Sequence, residues 1–127
     1  MYATDANTLI YYFKGNPNVV RRVLATQPQD LAIPAVVLYE LEVGTADVCA
    51  RREVLNALVR VCRILPFEDR AAKRAAEIRK ELGQRGQTIG PLDILIAATA
   101  ITNGATLLTH NTAEFSRVPG LLLEDWF

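Results

Sequence analysis

The sequence has few of the residues that mark several specialised classes of protein. Its two cysteines, Cys49 and Cys62, are too few and too isolated for a disulfide framework or a zinc site, so we expect two free thiols. A single histidine excludes a histidine cluster as a metal site. The 14 basic residues balance the 14 acidic ones, so any surface that binds nucleic acid must be local.

Long apolar segments are also missing. No apolar run reaches the roughly 18–20 residues that span a bilayer, and no basic-then-apolar leader precedes the first predicted strand. We therefore expect a cytoplasmic protein without a membrane segment or signal peptide. Half of the 127 residues are hydrophobic, which suits one domain over residues 1–127 with a single core.

Short apolar strands alternate with helices along the chain. Helices are predicted at 7–14, 19–26, 35–44, 51–62, 70–82 and 91–100. Strands are predicted at 2–4, 31–33, 64–65, 105–109 and 121–123. Short, continuously apolar strands that alternate with helices are typical of a parallel sheet covered on both faces. The pattern predicts an α/β fold, a three-layer α/β/α sandwich with a short-stranded central parallel sheet.

The stretch GPLDILIAATA, residues 90–100, contains one ionisable group in an otherwise apolar helix. Pro91 suits the first helical position, and the absence of a polar face predicts a helix that is buried on all sides. The helix dipole favours Asp93 in the first turn, but a carboxylate removed from water needs a partner. That partner is either a backbone N–H or a metal ion.

Three other polar residues are predicted to converge with Asp93. Asp5 ends the first strand, Asn111 follows the strand that closes with Thr109, and Glu40 lies early in the helix after the second strand. Sites in parallel sheets form beyond the carboxyl ends of the strands, and helical side chains lean back toward that end. Because gathered carboxylates repel, a divalent cation would relieve them, and hard oxygen ligands favour Mg²⁺ or Mn²⁺.

Each candidate also has a purely structural interpretation. Asp5 can cap the following helix, Asp93 can complement the helix dipole, and Asn111 can be a turn residue. His110 is expected to be a solvated loop residue. A shared site explains better than four separate coincidences why the four candidates all reach one end of one sheet: Asp5, Glu40, Asp93 and Asn111.

Periodicity does not decide between Glu40 and Glu42, because this helix has apolar residues on all of its sides. Gly44, one turn beyond Glu40, favours Glu40 weakly, since glycine permits a close approach to that face. A second open question is the basic side chains of the 70–85 segment, which form either a solvated face or a phosphate-contacting stripe: Arg70, Lys73, Arg74, Arg79, Lys80 and Arg85.

In four segments the chain resembles the PIN-domain ribonucleases of the VapC toxin kind: Thr4–Asn7, Tyr39–Gly44, Ile89–Ala98 and Thr109–Phe115. The ending Val118–Trp126 is similar to the VapC subgroup that cleaves initiator tRNA. The segments occur in the right order and extend over the whole chain, which makes the resemblance more specific than any single motif.

The resemblance implies one PIN domain that hydrolyses RNA phosphodiesters with Mg²⁺ or Mn²⁺, as the toxin of a type II toxin–antitoxin system acting on tRNA. Asp5, Glu40 and Asp93 match the acidic metal-binding positions of the family. Asn111 falls where many members carry a fourth acid. The implied partners are a VapB-type antitoxin, whose C-terminal segment covers the cleft, and a second copy of the chain.

Two rival functions stay open. A PIN domain that binds RNA or protein without catalysis follows if Ala6, where the family usually has Thr, and Asn111 have weakened the site. The three retained acids argue against that rival. An Asp-dependent phosphatase would use Asp5 as its nucleophile. Such sites want a second acid two residues on, where this chain has Asn7, and a downstream lysine, although none follows Lys80.

Overall fold

The helices and strands follow the alternation of the sequence. The computed structural model describes residues 1–46 and 48–127. These residues form five strands and seven helices: β1 (Tyr2–Thr4), α1 (Ala6–Phe13), α2 (Pro17–Ala25), β2 (Leu31–Pro34), α3 (Ala35–Thr45), α4 (Cys49–Val61), β3 (Arg63–Leu65), α5 (Asp69–Gln84), α6 (Pro91–Thr102), β4 (Thr106–Leu108), α7 (Thr112–Phe115) and β5 (Leu123–Glu124). A 3₁₀ turn, Pro28–Asp30, lies between α2 and β2.

The five strands form one parallel sheet in the order β3-β2-β1-β4-β5. In the register, Tyr2 of β1 lies between Leu31 of β2 and Thr106 of β4. The chain therefore builds one half of the sheet outward from β1 and then crosses back to build the other half. The β1–β4 boundary is the switch point where parallel sheets form sites. The predicted α/β fold with a central parallel sheet flanked by helices is confirmed.

Helix α6 carries Asp93 and is buried over most of its length. Ile94 and residues 96–100 are buried, whereas Leu92 is 37% exposed and Asp93 is half-buried. The prediction that this helix is buried on all sides is therefore wrong for its first turn. That turn lies at the surface. The Asp93 carboxylate is therefore accessible to solvent, while the rest of the helix is fixed in the core.

The apolar run in α1 divides between the core and the surface. Leu9 is 1% exposed, whereas Ile10, Tyr11, Tyr12 and Phe13 are half-buried and pack against the core. One face of the helix therefore buries only part of this run.

Two short elements were not predicted, the 3₁₀ turn Pro28–Asp30 and the four-residue helix α7. Both are too short to show a hydrophobic period. Cys49 and Cys62, which both lie in the described part of the chain, are free thiols as predicted. Within residues 1–46 and 48–127, no helix is both long and apolar enough to cross a membrane.

Candidate active site

Asp5 lies at the switch point, between β1 and α1. Its backbone N–H donates to Leu108 O at 3.1 Å, which ties it to the neighbouring strand β4. Its Oδ1 accepts from the Thr8 N–H at 2.8 Å, so Asp5 has the structural role of N-cap of α1. Burial raises the pKa of Asp5, hydrogen bonds from Thr109 and Thr8 oppose that rise, and Asp125 adds to it.

Glu40 and Glu42 lie on different sides of α3. Glu40 is half-buried, and its Oε1 is inaccessible to solvent without a hydrogen-bond partner among the described residues. Burial raises the pKa of Glu40, and repulsion from Asp93 and Asp5 raises it further. Glu42 instead forms an ion pair with Arg52. Of the two glutamates, Glu40 faces the other candidate acids.

Gly44 is exposed, and a Cβ at its position would meet no described atom within 4 Å. No described residue therefore packs closely against Gly44, and the close approach of a ligand to that face beside Glu40 stays a prediction. The side chain of Glu40 is distinguished by its buried oxygen and its acidic neighbours.

Asp93 lies in the first turn of α6, which begins at Pro91. Burial raises its pKa, followed by repulsion from Glu114 and Asp5. A Cβ on residue 90 would lie 3.2 Å from Asp93 Oδ2, so Gly90 leaves room for the carboxylate in its present position. The first-turn location also allows the helix dipole to favour the charged form.

Asn111 follows β4 and contacts Glu114, an acid that was not among the predicted site residues. Its Nδ2 donates to Glu114 Oε2 at 3.1 Å, and its backbone N–H donates to Thr109 Oγ1 at 3.0 Å. Glu114 in turn raises the pKa of Asp93. The predicted set of Asp5, Glu40, Asp93 and Asn111 thus comes together at one edge of the sheet, with Glu114 as an additional acid.

The donor set suits a hard divalent cation, although the acids do not form a ready-made cage. Across residues 1–46 and 48–127, no three His, Cys, Asp or Glu side chains are close enough to hold an ion by themselves. Mg²⁺ commonly uses one or two carboxylates and keeps several waters. The unpartnered buried oxygen of Glu40 and the repulsion among the acids fit such an ion. Carboxylate and amide oxygens favour Mg²⁺ or Mn²⁺ over Zn²⁺.

The basic side chains of α5 and its C-cap Arg85 differ in their contacts. Arg74 donates to Glu77 at 3.0 Å and to Pro119 O at 3.2 Å, and the exposed Arg85 donates to Glu81 at 2.6 Å. The remaining four are also exposed: Arg70, Lys73, Arg79 and Lys80. This distribution agrees with a solvated face, and a phosphate-contacting stripe stays a prediction.

Comparison with known proteins agrees with the fold. The PIN domain family matches residues 2–121, and the chain therefore belongs to the PIN-domain family. The tRNA(fMet)-specific endonuclease VapC of Shigella flexneri is 34% identical over 129 residues, covering 98% of this chain and 97% of the relative. Ribonuclease VapC2 of Rickettsia felis is 33% identical, covering 99% and 98%.

A solved structure shows the same likeness in three dimensions. The DNA-bound VapBC from Salmonella typhimurium contains a chain that matches with a TM-score of 0.89 and 30% identity, covering 99% of this chain and 98% of the other. The resemblance to VapC ribonucleases predicted from the sequence motifs is thereby confirmed.

Proposed function

We propose that the chain is a Mg²⁺- or Mn²⁺-dependent endoribonuclease toxin that cleaves tRNA, initiator tRNA in particular. The observation that carries this proposal is the buried Oε1 of Glu40, which has no hydrogen-bond partner among the described residues and belongs to a carboxylate that Asp93 and Asp5 repel. It is supported by the names of the relatives, which are ribonucleases and, in Shigella flexneri, an endonuclease specific for tRNA(fMet).

Each site residue has a separate part in the proposed reaction. Asp5, Glu40 and Asp93 would hold the divalent ion directly or through water, and Asn111 and Glu114 would complete the site. When bound, the ion supplies Lewis-acid polarisation of the scissile phosphoryl group and a nucleophilic water. The N–H of Thr8 keeps the Asp5 carboxylate in place by a hydrogen bond of 2.8 Å. By analogy with the family, the products carry a 5′-phosphate and a 3′-hydroxyl.

The decisive experiment compares two first-turn aspartates, Asp93 of α6 and Asp69 of α5. Wild type, Asp93→Asn and Asp69→Asn are purified in parallel and incubated with a tRNA mixture in Mg²⁺, Mn²⁺ or EDTA. We expect cleavage by the wild type and Asp69→Asn in either metal, none in EDTA, and a loss in Asp93→Asn on the order of 100-fold or more.

Three outcomes would overturn the proposal. An Asp93→Asn variant that cuts as fast as the wild type would exclude the proposed site. A wild type that binds RNA without cutting it under any metal condition would favour the non-catalytic rival. Accumulation of acyl phosphate on Asp5 would favour the phosphatase rival instead.

We further propose that the chain binds a VapB-type antitoxin and pairs with a second copy of itself. The similar Salmonella typhimurium chain comes from a VapBC structure, and the surface of α3 exposes the apolar parts of Tyr39 and Val43, which are 60% and 65% exposed. Exposed apolar side chains close together mark binding surfaces. Light scattering after size-exclusion chromatography, with and without co-expressed antitoxin, tests both partners; a monomer in each case would contradict them.

A further inference from the structure

Three aromatic rings meet at the surface beyond the carboxyl end of β4. His110 stacks on Phe127 with ring centroids 4.1 Å apart and an interplanar angle of 24°. Tyr11 of α1 presents an edge contact to both, at 4.8 Å from Phe127 and 6.0 Å from His110. His110 and Phe127 are both exposed, Phe127 by 49%. We call His110 and Phe127 the stacked pair.

Asp125 holds the stacked pair in position with both of its carboxylate oxygens. Oδ2 lies 2.9 Å from His110 Nδ1, and Oδ1 accepts from the Phe127 N–H at 3.0 Å. The rings are thus fixed by polar contacts as well as by stacking. A flat aromatic surface that is already ordered binds a partner with a small loss of entropy.

Anchoring of the chain end does not depend on Phe127, because Trp126 performs that task. Trp126 is 3% exposed and makes an edge contact with Tyr2 at 5.1 Å. Its Nε1 donates to Glu124 at 3.1 Å, and Arg22 lies over its ring at 4.9 Å while pairing with Glu124 at 2.8 Å. Phe127, next to this anchor, is 49% exposed and contacts only the rings of His110 and Tyr11 among the described aromatic contacts.

The stacked pair adjoins the candidate active site on two sides. His110 directly precedes Asn111, and Asp125 directly follows Glu124, whose carbonyl accepts from the Thr109 N–H at 3.0 Å. Tyr11 lies one helical turn beyond Thr8, whose N–H binds Asp5. A ligand whose phosphate lies at the acids would therefore have a neighbouring group within reach of the rings.

We propose that the stacked pair is a platform for an unpaired base of the substrate RNA, next to the scissile phosphate. This inference rests on the proposed ribonuclease function and adds that the RNA must present an unpaired base at the point of cleavage. Every base offers a π face, so stacking selects for an accessible base rather than for its identity. The carboxylate of Asp125 disfavours a phosphate at this position and tolerates a neutral base. The platform therefore selects single-stranded RNA at the point of cleavage.

A binding assay in EDTA tests the platform without cleavage. The probe is a short single-stranded oligoribonucleotide that carries 2-aminopurine, whose fluorescence is quenched when the base stacks. Phe127→Leu and His110→Leu remove one ring each, and Phe127→Tyr retains an aromatic ring. Phe13→Leu is the matched control, since Phe13 pairs with Tyr12 at the far end of α1. Melting temperatures establish that each variant is folded.

The expected result is loss of quenching and about 5- to 100-fold weaker binding in both platform variants. Phe127→Tyr and Phe13→Leu should bind like the wild type, and KM for tRNA should rise more than kcat falls. If the wild type cuts tRNA but Phe127→Leu and His110→Leu bind the probe within about twofold of it, the platform is refuted and the nuclease function is not. A wild type that quenches the probe but cuts no tRNA would support the platform and overturn the nuclease.

Discussion

Replacing Glu40 with glutamine should raise the stability of the metal-free protein while it removes the activity. Glu40 Oε1 is buried without a partner among the described residues, and Asp93 and Asp5 repel the carboxylate. Such an arrangement is unfavourable until a cation is present. Glutamine keeps the shape of the side chain and removes its charge, so it relieves the repulsion and also removes a candidate metal ligand.

The magnitude follows from the burial of the Glu40 side chain. An unsatisfied buried polar group costs about 1–3 kcal/mol, and more when it is charged. Glu40 as a whole is only half-buried, so solvent screens part of the repulsion. Glutamine still leaves a polar atom in the same place, which argues for the low end of the range. We expect a gain of about 1 kcal/mol in the free energy of unfolding, or roughly 3–5 °C in Tm.

The assay pairs thermal melting in EDTA at neutral pH with tRNA cleavage in Mn²⁺. Glu42→Gln is the matched control on the same helix. It should remain active and lose at most about 1 kcal/mol, because it gives up only a half-exposed ion pair with Arg52. Glu40→Gln should lose activity on the order of 100-fold or more. Its stability gain should vanish in acid, where the wild-type carboxylate takes up a proton.

Two results would refute this reasoning. If Glu40→Gln melts several degrees below the wild type in EDTA, the buried oxygen is satisfied and the carboxylate is a structural group. If Glu42→Gln loses the activity and Glu40→Gln retains it, the wrong glutamate has been assigned to the site.

Three further predictions concern the site and the chain end. Because the pKa of Asp93 is raised from 3.8, the native state binds more protons than the unfolded state between pH 3.8 and the raised native pKa. The stability of Asp93→Asn relative to the wild type should therefore increase with pH through that window and then level off in EDTA melts, and Mn²⁺ should reverse the order. Gly90→Ala should lower kcat about 10-fold, since the Cβ would meet Asp93 Oδ2 at 3.2 Å, whereas Gly83→Ala, with no described atom within 4 Å of its Cβ, should leave kcat unchanged. Arg22→Ala should lower Tm by roughly 3–5 °C through loss of its contacts with Glu124 and the adjacent indole ring.

The fold was predictable because each element has a local cause. Pro17 and Pro91 begin helices, Gly15 adopts a positive φ of 80° after α1, and the strands are short apolar runs between such breaks. The existence of all five strands could be read from this alternation. Their order in the sheet depends on pairings such as Ala3 with Leu107, which no local pattern contains.

The positions of the candidate acids were predictable to different degrees. Asp5 follows a strand directly and Asp93 opens a helix, so chain position alone brings them to the carboxyl edge of the sheet. Glu40 was not decidable from periodicity, because α3 is apolar on several sides. Its assignment depends on packing, because Glu42 pairs with Arg52 of α4, whereas Glu40 lies near Asp93 and Asp5.

Glu114 could not be assigned because the helix that carries it is too short to predict. Asn111 and Glu114 are three residues apart, which brings two side chains together only if the chain is helical between them. That spacing was a usable signal, but four residues show no hydrophobic period. Once α7 is present, Asn111 supplies a neutral donor to Glu114 at 3.1 Å. A neutral amide in this position relieves a site that already holds repelling carboxylates, and a fifth acid would repel them further without a cation. We therefore regard Asn111 as the residue that orients the Glu114 carboxylate by a hydrogen bond without adding another negative charge to the site.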